Sequence, residues 1–218
     1  MFHVKHHVIH SSISQESLLR LNDLLDKNYV KLSQYSEELF WWNSKVNLVS
    51  RDVSHETILE HIKHSLLVAT TDSFINAKNV IDTGTGGGLP GIPLAICFPE
   101  KEFVLNDIVS KKLVAVKQIL RKLNVENART ESGSISNVEI GRRDLVITKH
   151  AFKVFELTNY LQGKSWETLI FLKGEKEAVL ELESIDTPLN VSITNLDKVI
   201  DNPFYKGKAI VEVTRKLE

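Results

Sequence analysis

Through the first third of the chain, apolar residues recur at helical spacing. SQESLLRLNDLLD puts Leu18, Leu21, Leu24 and Leu25 on one face, and Ser14 is placed to cap its first turn. A second helix is predicted over about 28–47, with Leu32, Tyr35, Leu39, Phe40, Trp42 and Val46 as its apolar positions. A third opens after a second serine cap, Ser54, and presents Ile58, Ile62, Ser65 and Leu66. No Gly or Pro falls between 11 and 78, so this segment reads as compact helix rather than linker. The His-rich residues 1–13 are expected to be a mobile tail.

From Asn79 the texture changes to short apolar runs alternating with helical stretches. Strands are predicted at 79–83, 103–107, 142–149, 168–173, 191–196 and 208–213. Helices fall near 90–98, 110–123 (with Ser110 as its cap), 151–162 and 175–184. This alternation points to a doubly wound α/β sheet whose last two strands form an antiparallel hairpin. The domain reading is a tail over 1–13, a helical extension over 14–78 and a ligand-binding α/β domain over 79–218.

Composition narrows the picture modestly. Lys and Arg total 27 against 28 Asp and Glu, which argues against a polybasic membrane or nucleic-acid coat protein. The balance still permits a basic face opposite an acidic one. The single cysteine, Cys97, excludes an internal disulfide and a multi-thiolate zinc site, and is read as a small buried hydrophobe. The longest apolar run, Ile92 to Pro99, is far short of the ~20 residues of a membrane helix, and the first residues show no secretory pattern. A soluble, cytoplasmic monomer is expected.

Half of the ten glycines lie in DTGTGGGLPG, between the strand at 79–83 and the next helix. Glycines here allow a tight turn and close approach of a ligand to the backbone. Gly86, Gly88 and Gly91 satisfy the GxGxxG spacing of dinucleotide binders. The competing register is Asp82-x-Gly84-x-Gly86-x-Gly88. A carboxylate beside the loop would repel a pyrophosphate but suits a cationic amino group, such as that of S-adenosylmethionine. Asp107, at the next strand end, is placed for ribose hydroxyls and fits either cofactor.

Trp42-Asn43-x-x-x-Asn47-Leu48, His61-x-x-x-Ser65-Leu66 and DTGTGGGLPGIPLAI with Pro99 resemble the small-subunit ribosomal RNA methyltransferase G family, also called glucose-inhibited division protein B. The similarity continues through Leu105-x-Asp107-x-x-x-Lys111, Asp144-x-Val146-Ile147-Thr148-Lys149 and Leu172-Lys173-Gly174. It implies a Rossmann-like class I S-adenosylmethionine-dependent methyltransferase with a seven-stranded sheet and an N-terminal helical extension. It also implies methyl transfer to N7 of a guanine in 16S rRNA, on the RNA or the small ribosomal subunit. Family cofactor contacts fall on Gly84, Leu89, Ile135, Ser136 and Lys149. The chain departs from the family pattern at Ser134 and Ser136, at Lys149 in place of Arg, and at His64 in place of Asp. These departures keep a non-catalytic ribosome-associated module as an alternative, beside a dinucleotide-dependent oxidoreductase.

Guanine N7 carries a free lone pair, so the expected chemistry is alignment and needs no catalytic base. Candidate RNA contacts are Lys149, Lys173, Arg142, Arg143 and His61; the two arginines are expected to flank the end of the 142–149 strand. The helix at 110–123 presents Lys111, Lys112, Lys117, Arg121 and Lys122. Asn202-Pro203-Phe204-Tyr205 resembles the base-holding motif of exocyclic-amine methyltransferases, but lies between the last two strands and is read as a hairpin turn. His61 and His64, with Glu60 adjacent, are read as polar residues of the junction rather than metal ligands. Phe2-His3-Val4-Lys5 admits the self-complementary coding sequence TTTCACGTGAAA, which looks like a chromosome-partition site; the coding DNA decides it.

Overall fold

The computed structural model describes residues 6–50 and 53–215. The tail residues Phe2 to Lys5 lie outside these. The chain runs β1 (His7–Ser11), α1 (Gln15–Lys27), α2 (Tyr29–Asn43), α3 (His55–Leu66), α4 (Asp72–Asn76), β2 (Asn79–Thr83), α5 (Gly91–Cys97), β3 (Glu102–Asp107), α6 (Ser110–Lys122) and β4 (Ala128–Ser132). It continues through β5 (Leu145–Lys149), α7 (Val154–Tyr160), β6 (Thr168–Gly174), α8 (Glu175–Leu182), β7 (Leu189–Asn195) and β8 (Lys208–Arg215). One sheet contains all the strands in the order β1-β7-β8-β6-β5-β2-β3-β4. Only β8 is antiparallel to its neighbours, so β2, β3, β5, β6 and β7 all point their carboxyl ends the same way.

Two expectations are corrected here. The sheet has eight strands rather than seven, and the extra one comes from the segment expected as a tail. His7–Ser11 pairs in parallel with β7, filling the edge that β7 would otherwise leave open. The Ser11 hydroxyl bonds those of Ser192 and Thr194, while His6 Nε2 bonds the Leu182 carbonyl. β1 is exposed along its whole length, so its sequence carries no burial alternation. The polar edge strand β4, ARTES, has no fully buried position and likewise escaped the apolar pattern.

Strand residues alternate between two cores. Leu145, Ile147, Ile170 and Leu172 face one side with α1–α6, whereas Val146, Leu169 and Phe171 face the other with α7 and α8. The helical extension therefore shares a core with the sheet: Leu21, Tyr35, Leu39, Ile58 and Phe74 pack in the same cluster as Val80, Ile92 and Leu105. Ser14 and Ser54 cap α1 and α3 as expected, accepting from the Ser17 and Thr57 amides. Ser110 does not cap α6; it is the first helical residue, no side chain caps the helix, and Asp107 Oδ1 accepts the amide of Val109 just before it. Among the described residues, no helix is long and apolar enough to cross a membrane.

Candidate active site

The glycine loop hangs from Asp82, which is fully buried at the end of β2. Its Oδ2 accepts from the Thr85 hydroxyl at 2.5 Å and from the Gly91 amide at 2.8 Å, tying both ends of the loop to the strand. Gly84, Gly86 and Gly88 have φ of 68°, 57° and 95°, the left-handed region that glycine enters without a Cβ penalty. Gly91 is demanded by space, since a Cβ there would sit 2.2 Å from Leu105 and 2.8 Å from Asp82 Oδ2. The helical extension presses on the loop from outside. Tyr35 donates to the Gly87 carbonyl, and a Cβ at Gly87 would meet Leu39 at 2.5 Å. Asn43 explains part of the Trp-Asn motif: its Oδ1 accepts the Leu48 and Val49 amides, setting the segment whose Leu48 carbonyl lies over Gly86.

These bonds bear on the choice of ligand. A phosphate at a helix start needs free amides. In α5 the Gly91 amide is given to Asp82 and the Ile92 amide to the Gly88 carbonyl, and Pro93 has none. The loop is thus poorly equipped for the pyrophosphate of a dinucleotide. Asp82 Oδ1, by contrast, is buried without a hydrogen-bond partner. Burial raises the Asp82 carboxyl to about 7, against the Thr85 and Gly91 hydrogen bonds and the nearby Lys149 ammonium, which favour ionisation. An arriving ammonium group would satisfy both the charge and the orphaned oxygen. Asp107 Oδ2 accepts the Gly86 amide at 3.0 Å, and each of its oxygens can accept a further bond from a ribose hydroxyl. At Gly133, just beyond β4, a Cβ would meet nothing within 4 Å, leaving open space beside the expected cofactor contacts Ile135 and Ser136. The residues present fit S-adenosylmethionine.

The remaining cofactor candidates divide by burial. Ile135 is buried in the second core, so only its backbone can face a ligand, and exposed Ser136 gives its amide to Ser134 Oγ in the 3-10 turn Ile135–Asn137. Leu89 is buried in the first core. Asn106, which sequence reasoning missed, is buried between three strands. It accepts from the Thr83 hydroxyl and donates to the Glu131 and Gly133 carbonyls, holding the carboxyl ends of β2, β3 and β4 together. A polar residue at an apolar strand's end was its only sequence signal.

A second group gathers beyond the end of β5. Burial lowers Lys149 to about 8, with Asp82 opposing and Lys208 reinforcing that shift. His61 falls to about 3 and His150 to about 4 by burial and the neighbouring Lys149, so both are neutral at pH 7. His64 is completely buried, and neither ring nitrogen has a partner. The Asn-Pro-Phe-Tyr segment forms a turn between β7 and β8, as expected, with Asn202 capping it. The turn leans onto α3. Phe204 lies 5.0 Å from the His61 ring and Tyr205 5.9 Å from that of His64, while Lys208 Nζ covers the Phe204 ring at 4.0 Å. Lys208 reads in the sequence only as a cation of the final hairpin turn and His150 carries no signal, because helix, strand and turn meet there only in the fold.

Three expected RNA contacts are not at this surface. Arg142 and Arg143 precede β5 and so lie at the amino ends of the strands, beside Asp72, Ser73 and Asn76. Arg142 is bonded there to Glu167 at 2.5 Å. A five-residue strand spans ~16 Å, which separates them from Lys149. Lys173 is 2% exposed and bonds both oxygens of buried Glu181, at 2.6 and 2.5 Å. It points into the protein, because the carboxylate that pairs with it comes from α8.

A mostly parallel sheet with an antiparallel last strand, a glycine loop after β2 and an acid at the end of β3 define a Rossmann-like fold of the methyltransferase kind. The O-methyltransferase from Bacillus cereus in complex with SAH shares the fold, with a TM-score of 0.54 and 17% identity over 83% of this chain and 90% of that one. The chain belongs to the rRNA small subunit methyltransferase G family, whose model matches residues 28–199. Relatives named ribosomal RNA small subunit methyltransferase G include that of Chlorobium luteolum, 35% identical over 85% of this chain and 81% of the relative. That of Chlorobaculum tepidum is 37% identical over 83% and 86%.

Proposed function

We propose that this chain transfers a methyl group from S-adenosylmethionine to N7 of a guanine in 16S rRNA, acting in the cytoplasm as a monomer on the RNA or the small subunit. The observation that carries the reading is the state of the glycine loop: every amide of the α5 start is satisfied, while Asp82 keeps one buried oxygen without a partner. When bound, S-adenosylmethionine supplies a sulfonium methyl group open to attack by a lone pair. Asp82 and Asp107, with the backbone at Gly84, Gly86, Gly88, Leu89, Ile135 and Ser136, are the residues assigned to hold it.

The guanine needs no base to take a proton, since N7 is unprotonated at neutral pH. What the protein must contribute is alignment, and fixing two reactants can supply about 7–11 kcal/mol. Lys149, partly desolvated between Asp82 and Lys208, is assigned to the junction of cofactor and RNA. As a lysine where the family has arginine, it contributes a point charge rather than a bidentate fork. Neutral His61 is assigned to hydrogen bonding with the substrate rather than to phosphate neutralisation. The test is incubation of the protein and S-adenosylmethionine with small subunits lacking the modification. N7-methylguanine in the recovered 16S rRNA is expected. Cofactor binding without that product would favour a non-catalytic ribosome-associated module, and binding of NAD alone an oxidoreductase.

A further inference from the structure

We infer that the groove between α2 and α6 docks a single-stranded stretch of RNA, with Trp41 as the stacking platform for one of its bases. The inference rests on the rRNA methyltransferase reading for why RNA comes to this side of the molecule. The groove is an open depression of about 800 Å³ lined by Trp41, Val114, Gln118 and Arg121 among others. Trp41 and Val114 are 53% and 57% exposed, and Ile108 at the head of α6 is 72% exposed. Large apolar side chains left in water on adjoining elements mark a surface that something covers.

What covers it is indicated by the charges and the rings. Of the cations on α6, only Lys122 forms an ion pair among the described residues, with Glu38; Lys111, Lys112, Lys117 and Arg121 have none. Lys45 Nζ lies 5.7 Å from the centroid of the Trp41 ring, and Trp42 braces that ring edge-on at 4.9 Å. Glu37 is the one lining carboxylate without an ion pair among the described residues. An exposed indole steadied by a neighbour, with Lys45 at its face and Arg121 in the same groove, both without an ion pair among the described residues, suits a ligand with flat faces and negative charge, as in single-stranded nucleic acid. Position agrees. α6 starts three residues after Asp107, and α2 touches the glycine loop through Tyr35, so the Val114 end of the groove adjoins the cofactor cradle.

The test titrates a short unstructured oligoribonucleotide into the full chain and follows tryptophan emission and affinity. Quenching is expected, and Trp41→Ala should weaken binding by about 5- to 150-fold, the range for loss of one base–aromatic stack. Trp41→Phe should keep most of the affinity, and Arg121→Glu should weaken it while flattening its salt dependence. S-adenosylmethionine affinity and thermal melting should be unchanged in all three. Wild-type oligonucleotide affinity in Trp41→Ala overturns the proposal. So does a groove in which the variants lose a small-subunit protein while keeping RNA. If the wild type binds the oligonucleotide through Trp41 yet leaves small subunits unmethylated, the methyltransferase reading fails and the groove stands.

Discussion

Replacing Lys173 by Met separates a buried structural ion pair from a substrate contact. The ammonium and the Glu181 carboxylate are 2% and 7% exposed, and Nζ bonds both carboxylate oxygens. Glu181 Oε2 also accepts the Val154 amide at 2.7 Å, so the pair ties β6 to α8 and to the start of α7. Met matches the length of the lysine stem but leaves Glu181 in the interior with one backbone donor and no countercharge. Breaking one side of a buried pair costs about 3–5 kcal/mol. With a urea m-value of ~2–3 kcal/mol/M for a domain of this size, the midpoint should fall by ~1–2 M. The pair itself is worth much less than its breakage costs, because two charges were desolvated to form it. Lys173→Met combined with Glu181→Gln removes both charges and keeps an acceptor for Val154, so it should recover at least half of the lost stability. A midpoint within ~0.3 M of wild type (below ~1 kcal/mol at that slope), coupled to weaker RNA binding, would refute this reasoning and return Lys173 to the substrate face.

Other outcomes derive from the same geometry. The Asp82 carboxyl is raised to about 7 and is neutral below that, so S-adenosylmethionine affinity should rise as pH increases through 7, with proton release on binding; a flat calorimetric profile between about pH 5.5 and 8.5 counts against ammonium recognition. Gly91→Ala pushes a methyl group against Leu105 and Asp82, and should lower stability by ~1–3 kcal/mol and abolish cofactor binding, both readable by thermal shift with and without ligand. Lys149→Ala should weaken RNA binding more than cofactor binding, and wild-type RNA affinity should decline as pH rises through about 8, where the ammonium loses its proton. Deleting residues 1–11 uncovers the β7 edge and should promote self-association at little cost in stability, visible by light scattering.

Legibility in the sequence tracked burial. Strands enclosed on both faces announced themselves by adjacent apolar residues, Val80-Ile81 in NVIDT and Leu169 to Leu172 in TLIFLK. The edges β1 and β4 did not, since a strand that buries nothing leaves only its backbone to pair. Caps were readable where a side chain does the capping, as at Ser14 and Ser54. At α6 the serine misled, because Ser110 is already inside the helix and no side chain caps it.

At the site, the loop was legible because backbone conformation constrains residue identity: a position with φ near 60°, or one with Leu105 at the distance of a bond angle, admits only glycine. Charge was legible as a total and along α6, but not by partner or by end of the sheet. Arg142 and Lys149 flank one strand in sequence, yet a parallel sheet gathers the residues that enter its strands at one end and those that leave them at the other. Sequence proximity across a strand therefore means spatial separation. For Lys173 the deciding fact was the partner, since a lysine at a strand end faces solvent unless a carboxylate waits inside, and Glu181 is eight residues on in a helix that reads as merely acidic. The near balance of 27 cations against 28 anions thus hides three kinds of cation: Lys173 buried with a partner, Arg142 engaged at the far end, and the unpaired row on α6. The last kind, with Lys149, is available to a polyanion, and it lies along the helix that begins three residues after Asp107.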